Sequence, residues 1–211
     1  MPGLPHGVYA IVDGPAARPP LDLVGAFVRG GASVVQLRLK GIGTGDFVRI
    51  AREARRICAN RALLLINDRP DVARVAEANG VHLGQDDLPV AAARNLLGPG
   101  ALIGLSTHSE KEIDEAAGAD YIGFGPVFAT QSKPGAPLPP PHGIEGLRRA
   151  VRRAKVPVVA IGGITVDNVA QVARTGARCA AAISALCNAA NPEQDVRAFA
   201  EAWGPSPEAL Q

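Results

Sequence analysis

The sequence predicts an α/β protein, a single-domain (β/α)8 barrel of the TIM type spanning residues 1–211. Three observations predict it. Short β-branched apolar runs alternate with stretches of helical apolar spacing about eight times, the pattern of a parallel sheet with helical crossovers. Eight such repeats suffice to close the sheet on itself, and 211 residues sit near the low end for that architecture. The unusual polar residues fall where the strands run out, the end at which such barrels place their chemistry. A doubly wound open sheet is the alternative that the same alternation allows.

The elements follow in order. The first strand covers 8–12 and stops at Asp13-Gly14; a helix over 21–29 then sets Leu23, Val24 and Phe27 on one side. A second strand covers 33–38, and Thr44 reads as the cap of a helix carrying Phe47, Ile50, Ala54 and Ile57. The third strand, 62–66, stops at Asn67-Asp68-Arg69-Pro70, with Pro70 opening a helix as proline can in a first turn. The fourth, 81–83, stops at Gly84-Gln85-Asp86-Asp87 before a helix over 89–97. The fifth covers 102–105, and Ser109 caps a helix over 110–117. Strands over 121–124, 156–161 and 179–183 follow, with helices over 166–174 and about 192–203 behind the last two.

One connection is long. Residues 125 to about 142 carry Pro134, Pro137, Pro139, Pro140 and Pro141. In an otherwise trimmed barrel such a loop reads as a lid or binding loop, or else as a flexible surface excursion.

Composition narrows the function classes. With 47% hydrophobic and 20% charged residues, the chain has the make-up of a soluble globular domain. A net charge of +2 with no basic run or aromatic-interleaved stripe argues against a nucleic-acid surface. No uninterrupted apolar span approaches the roughly 20 residues of a membrane helix. The first residues lack a basic start and an apolar core, so a secretory signal is not expected. Cys58, Cys179 and Cys187 have neither metal-site spacing nor an even disulfide framework and read as buried small hydrophobes, which suits the cytoplasm.

Two strand ends organise the candidate site. If the third and fourth strands are parallel neighbours, Asp68 and Asp87 meet although nineteen positions separate them. Two hard oxygen donors at one spot suit Mg²⁺ bound to a phosphate-bearing substrate. Each aspartate also has a local reading, as a turn residue or a helix cap.

Gln36, Arg38 and Lys40 alternate on an extended backbone, so period two points them the same way. An amide, a guanidinium and an ammonium in one row suit an anion, and a solvated edge would look similar. Arg69 reads as the structural partner of a nearby acid. After the fifth strand, Ser106 is placed to donate a hydrogen bond to a substrate oxygen. His108 is placed either for proton transfer or for satisfying the loop backbone. His82, inside a strand end, reads as structural, and His6 and His142 carry little information.

In the long loop, Thr130, Ser132 and Lys133 would close over a phosphorylated ligand. Gly162-Gly163 and Ser184, after the seventh and eighth strands, suit an anion nest at the usual barrel phosphate position.

Assembled in this order, the motifs resemble those of the thiamine-phosphate synthase family across nearly the whole chain. The pieces are Gln36-Leu37-Arg38-Leu39-Lys40, Asn67-Asp68, Gly84-Gln85-Asp86-Asp87, Gly104-Leu105-Ser106-Thr107-His108, Thr130-Gln131-Ser132-Lys133, Gly162-Gly163-Ile164 and Ile183-Ser184-Ala185. The resemblance implies a transferase that joins a hydroxymethylpyrimidine diphosphate to a thiazole phosphate, releasing diphosphate. It implies Mg²⁺ on Asp68 and Asp87, and pyrimidine diphosphate contacts from Gln36 to Lys40, Asn67, Ser106 and Lys133. It implies thiazole phosphate contacts from Thr130, Ser132, Gly162, Ile183 and Ser184. Arg38, Lys40, Lys133 and Ser106 are then the groups expected to act on the reaction, and His108 has no covalent role.

Small molecules are the implied partners, with room for a homodimer. The chain departs from the family pattern in having Ala129 and Ser132, and in the prolines between Pro137 and Pro141. Two rivals share parts of the pattern. A thiazole tautomerase shares the barrel, the Asn67-Asp68-Arg69 piece and the Ser106-Thr107-His108 piece, but leaves Gly84-Gln85-Asp86-Asp87, Lys40 and Lys133 unexplained. A non-catalytic barrel that binds thiamine precursors would not need the metal and lid residues.

Overall fold

The computed structural model describes residues 3–14, 16–130 and 140–205. Eight parallel strands close into a barrel in sequence order. They are β1 (Gly7–Asp13), β2 (Val34–Arg38), β3 (Leu63–Asn67), β4 (Gly80–Leu83), β5 (Leu102–Thr107), β6 (Tyr121–Phe124), β7 (Val158–Ile161) and β8 (Cys179–Ala182). The outer layer comprises α1 (Pro20–Gly30), α2 (Thr44–Cys58), α3 (Pro70–Val75), α4 (Val90–Leu97), α5 (Glu110–Glu115) and α6 (Gly143–Arg153). It continues with α7 (Val166–Ala173), a single turn α8 (Ser184–Cys187) and α9 (Pro192–Trp203).

Period two along each strand divides the core into two parts. Tyr9, Ile11, Val34, Leu65, Leu102, Tyr121, Val159 and Cys179 pack together inside the barrel. Their sequence neighbours Val8, Ala10, Val35, Leu64, Ile66, Ile103, Ile122, Val158 and Ala180 pack outward beneath the helices. Leu4 is buried with the interior group at the foot of the barrel. There the Trp203 indole N–H donates to His6 Nε2 at 3.0 Å, and Arg178 Nε donates to the Leu4 carbonyl at 3.0 Å.

Helix starts show their local causes. Proline opens α1, α3 and α9, where its missing N–H has no intrahelical partner to lose. Ser109 caps α5 as expected, accepting from Glu112 N at 3.2 Å. Thr44 does not cap α2: it is the first helical residue, Gly43 is the cap, and the Thr44 hydroxyl accepts from Arg69 at 3.1 Å. Likewise Pro89 is the cap of α4 rather than its first residue, and Asp87 makes no cap bond there.

Strand and helix limits also shift. β5 runs on through Thr107, so Ser106 lies within the strand, and the Thr107 hydroxyl donates across to the Gly123 carbonyl at 3.1 Å. β7 begins two residues later than expected, after Pro157, which has no N–H to pair. α5 stops at Glu115, short of residue 117, and α8 is too brief for periodicity to reveal.

The long connection has a fixed neck. His142 N donates to the Pro126 carbonyl and Gly143 N to the Val127 carbonyl, each at 2.9 Å, so the two feet of the loop lie side by side. Gln131 and the segment through Pro139, including Ser132, Lys133, Pro134 and Pro137, lie outside the described residues.

All three cysteines are free and buried. Burial pushes the thiols of Cys58, Cys179 and Cys187 up to about 11, 12 and 11, because the thiolate loses its solvation. Iodoacetamide at about pH 8, where an ordinary exposed thiol is partly ionised, should leave all three unmodified in the folded protein. Denaturant should then allow three carbamidomethyl additions by mass spectrometry.

Candidate active site

The polar residues gather at the end of the barrel where the strands finish. β3 and β4 pair in parallel with Asn67 opposite His82, and Asp68 N donates to the His82 carbonyl at 2.9 Å. This bond places Asp68 at the shared rim with φ +60, a left-handed conformation that aspartate and asparagine tolerate better than most residues. Asp87 arrives from a tight turn after β4. Its Oδ2 accepts from Gly84 N at 2.7 Å, folding the carboxylate back over the strand end. A Cβ at Gly84 would sit 2.9 Å from that oxygen, so the turn has little room for a side chain there.

The two carboxyl groups come within hydrogen-bonding reach of each other, and Lys40 Nζ lies 3.4 Å from Asp68 Oδ2. Burial, followed by the neighbouring Asp87, pushes the Asp68 carboxyl above the ordinary carboxylate range, while Lys40 pulls the other way. Two acids are thus held together at the rim beside one exposed ammonium.

β1 and β2 supply the next sector. Asp13 stands opposite Arg38 in the register, and the guanidinium donates to Asp13 Oδ1 at 2.5 Å. Their side chains are only 14–15% exposed. Period two holds for Gln36 and Arg38, which share the inward face, but the two do not make one open row with Lys40. Gln36 is buried and its amide donates to the Tyr9 hydroxyl at 2.6 Å. Arg38 is committed to Asp13, and Lys40 lies in the turn beyond the strand. Interior packing takes the lowest member of the row, and strand pairing takes the second.

β4, β5 and β6 place a line of polar atoms across the barrel. Tyr9 and Tyr121 share a hydroxyl hydrogen bond of 2.9 Å, and Tyr121 Oη lies 2.9 Å from His82 Nδ1. His82 Nε2 lies 2.9 Å from Ser106 Oγ. Gln85 Nε2 donates to the Ser106 carbonyl at 2.6 Å. His82, expected to be structural, thus touches a candidate site residue directly. Asp13, Tyr9, Tyr121 and Gln85 were not singled out by the sequence. Strand register would have exposed the first three, since each shares the inward parity of Gln36 or Ser106.

His108 satisfies the backbone: its Nδ1 lies 2.7 Å from the Gly125 carbonyl, and its own N–H donates to Glu112 at 2.6 Å. Arg69 pairs with Asp71, as expected, at the surface.

β7 and β8 form the remaining sector. Gly162 and Gly163 have φ +104 and +62. A Cβ on Gly162 would lie 2.6 Å from Pro126 Cα, and one on Gly163 would lie 2.4 Å from the Ala129 carbonyl. The pair therefore lets the base of the long loop cross the β7 end, with Val127 N bonded to Ile161 O at 2.9 Å and Phe128 N to Gly162 O at 3.0 Å. Asn168 ties the same turn down, donating to the Gly163 carbonyl at 2.9 Å. Ile183 follows β8 as the cap of α8, and Ser184, exposed, opens that helix. Thr130 is the last described residue before residue 140, so Ser132 and Lys133 lie outside the described residues.

Comparison with known proteins gives one consistent result. The family described as thiamine monophosphate synthase matches over residues 8–186. The thiamine-phosphate synthase of Anaeromyxobacter dehalogenans is 47% identical over 190 residues, covering 89% of this chain and 83% of that one. The thiamine-phosphate synthase of Chlorobium luteolum is 44% identical and covers 92% of each. Among solved structures, thiamine phosphate pyrophosphorylase from Pyrococcus furiosus superposes with a TM-score of 0.85 at 36% identity, covering 93% of this chain and 95% of that one. With this match running from β1 to α8, the chain belongs to the thiamine-phosphate synthase family.

Proposed function

We propose that the barrel couples a hydroxymethylpyrimidine diphosphate to a thiazole phosphate, with Mg²⁺ held by Asp68 and Asp87 and by a dissociative route. One observation carries the metal reading: two carboxyl groups from neighbouring strand ends meet beside Lys40. Their donor set fits Mg²⁺, which takes one or two carboxylates and fills its remaining positions with water and substrate phosphate oxygens. Among the described residues no third histidine, cysteine or acid joins the pair. Bound Mg²⁺ would neutralise charge on the diphosphate as the carbon–oxygen bond breaks.

The chain's own groups have separate work. Arg38, aligned by Asp13, presents a fixed guanidinium to the diphosphate, and Lys40 adds an exposed ammonium at the rim. Lys133 would reach the same anion from the long loop. As the diphosphate leaves, positive charge develops on the pyrimidine methylene carbon, and the thiazole nitrogen attacks it. Prearranged cations stabilise the departing anion without reorganising at the moment of bond breaking.

Asn67 and Ser106 would orient the pyrimidine, while Gln36 fixes the floor beneath it. Thr130, Ser132, Gly162, Ile183 and Ser184 would hold the thiazole phosphate across the mouth. The loop, rooted on Gly162 and Gly163, would exclude water that could capture the cation. No nucleophile from the protein is required. Buried thiols suit a reducing compartment, which supports a cytoplasmic setting.

The deciding experiment supplies both substrates with and without Mg²⁺ and measures diphosphate release. Release should require both substrates and stop on chelation. Isomerisation of the thiazole phosphate without coupling would instead assign a tautomerase.

Asp68→Asn is the informative substitution, because asparagine accepts the same left-handed backbone. It should lower turnover by about 10²–10³, the scale for losing one key electrostatic partner. In metal-free buffer the same variant should melt higher than the unsubstituted protein, because the like-charge contact with Asp87 is gone. Mg²⁺ should raise the melting temperature of the unsubstituted protein and leave that of Asp68→Asn nearly unchanged.

Asp13→Asn tests the alignment of Arg38. Weakening a charged hydrogen bond of this kind should cost about tenfold in kcat/KM for the pyrimidine diphosphate, with melting read alongside.

A further inference from the structure

The barrel interior holds a polar line that packing alone does not call for. It runs Gln36 Nε2 to Tyr9 Oη (2.6 Å), to Tyr121 Oη (2.9 Å), to His82 Nδ1 (2.9 Å), and from His82 Nε2 to Ser106 Oγ (2.9 Å). Both tyrosines are wholly buried, and they are the only tyrosines in the chain. Branched aliphatic layers are the usual filling of such a barrel, and phenylalanines would fill the same volume without hydroxyls to satisfy.

Two glycines clear the path. Gly104 stands between His82 and Tyr121 in the register, and a Cβ there would lie 2.0 Å from Tyr121 Cζ. Gly123 stands opposite Ser106, and a Cβ there would lie 3.1 Å from His82 Cε1. Histidine and tyrosine therefore meet over a strand that contributes no side chain between them.

Donor and acceptor accounting gives the line a direction. Gln36 donates to Tyr9, so the one Tyr9 hydroxyl hydrogen is free to go to Tyr121. Tyr121 then spends its hydrogen on His82 Nδ1. A neutral imidazole whose Nδ1 accepts carries its proton on Nε2, and that N–H donates to Ser106 Oγ. The serine's own hydrogen is left for another acceptor. Burial holds both phenols well above their ordinary pKa, so both hydroxyls keep their hydrogens.

We propose that His82 is a positioning residue, held in its Nε2-protonated tautomer by Tyr9 and Tyr121, that turns Ser106 into a hydrogen-bond donor toward the pyrimidine substrate. The assignment rests on Ser106 contacting that substrate. The line works by orientation alone, with no proton delivered and no bond made. Gln85, holding the Ser106 carbonyl, fixes the serine backbone from the solvent side.

Imidazole ¹⁵N NMR and diphosphate release test this together. In the unsubstituted protein at neutral pH, His82 should show an unprotonated Nδ1 and a protonated Nε2, assigned by the loss of both signals in His82→Gln. Tyr121→Phe keeps the ring and removes the hydroxyl. It should mix the His82 tautomers and lower kcat about tenfold, the net worth of one hydrogen bond, with KM little changed.

His82→Asn is too short to reach Ser106 and should lower kcat by about 10² through misplacement of the serine. His82→Gln, whose amide N–H can stand in for Nε2–H, should recover most of that loss. A protonated Nδ1 in the unsubstituted protein, or Tyr121→Phe with unchanged tautomer and kcat, would overturn the proposal. So would His82→Asn with full turnover.

If His82→Asn does not fold, the NMR spectrum and Tyr121→Phe decide alone. If the unsubstituted protein releases no diphosphate, the coupling reading fails while the spectrum still tests the tautomer.

Discussion

Closing eight short parallel strands on themselves allows only every second side chain into the interior. That constraint governs the rest of the molecule. Along β1 the inward set is Tyr9 and Ile11, and along β2 it continues from Val34 to Gln36 and Arg38. The lower positions fill with apolar side chains. The upper positions, where the strands end, are the only inward ones that can hold charged groups without stranding them from water. Asp13, Arg38, Asn67 and Ser106 all occupy such places.

The rim pays for its arrangement. Asp68 adopts a left-handed backbone, sits beside Asp87 and is pushed upward in pKa by burial and by that neighbour. Lys40 offsets them only in part, so in the free protein these features oppose stability. The divalent cation and diphosphate proposed for this rim would relieve them. Asp13 and Arg38 are different: they satisfy each other in the free protein and hold the guanidinium in place in advance.

Glycine does two kinds of work around the mouth. Gly162 and Gly163 let a second stretch of backbone cross the β7 end, so the long loop is rooted against the sheet. Gly104 and Gly123 instead remove side chains from the interior, so that Tyr121 and His82 can meet and His82 can reach Ser106. The first pair positions a loop, and the second positions a hydrogen-bond donor.

Much of this was legible in the chain itself. Alternation of short apolar runs with helical spacing was enough to predict eight βα units and a closed barrel, because period and length are local properties. The acids at Asp68 and Asp87 could be read together because each follows an apolar run that ends abruptly. Local pattern could not say that Gln36 turns inward to Tyr9, that Arg38 belongs to Asp13, or that His82 joins Tyr121 to Ser106. Those facts depend on register between strands distant in sequence, and on which inward positions are left empty by glycine. Composition and periodicity thus determined the architecture and the candidate residues, whereas only the closed sheet decided which of them touch, because contact across a barrel is set by strand pairing and not by spacing along the chain.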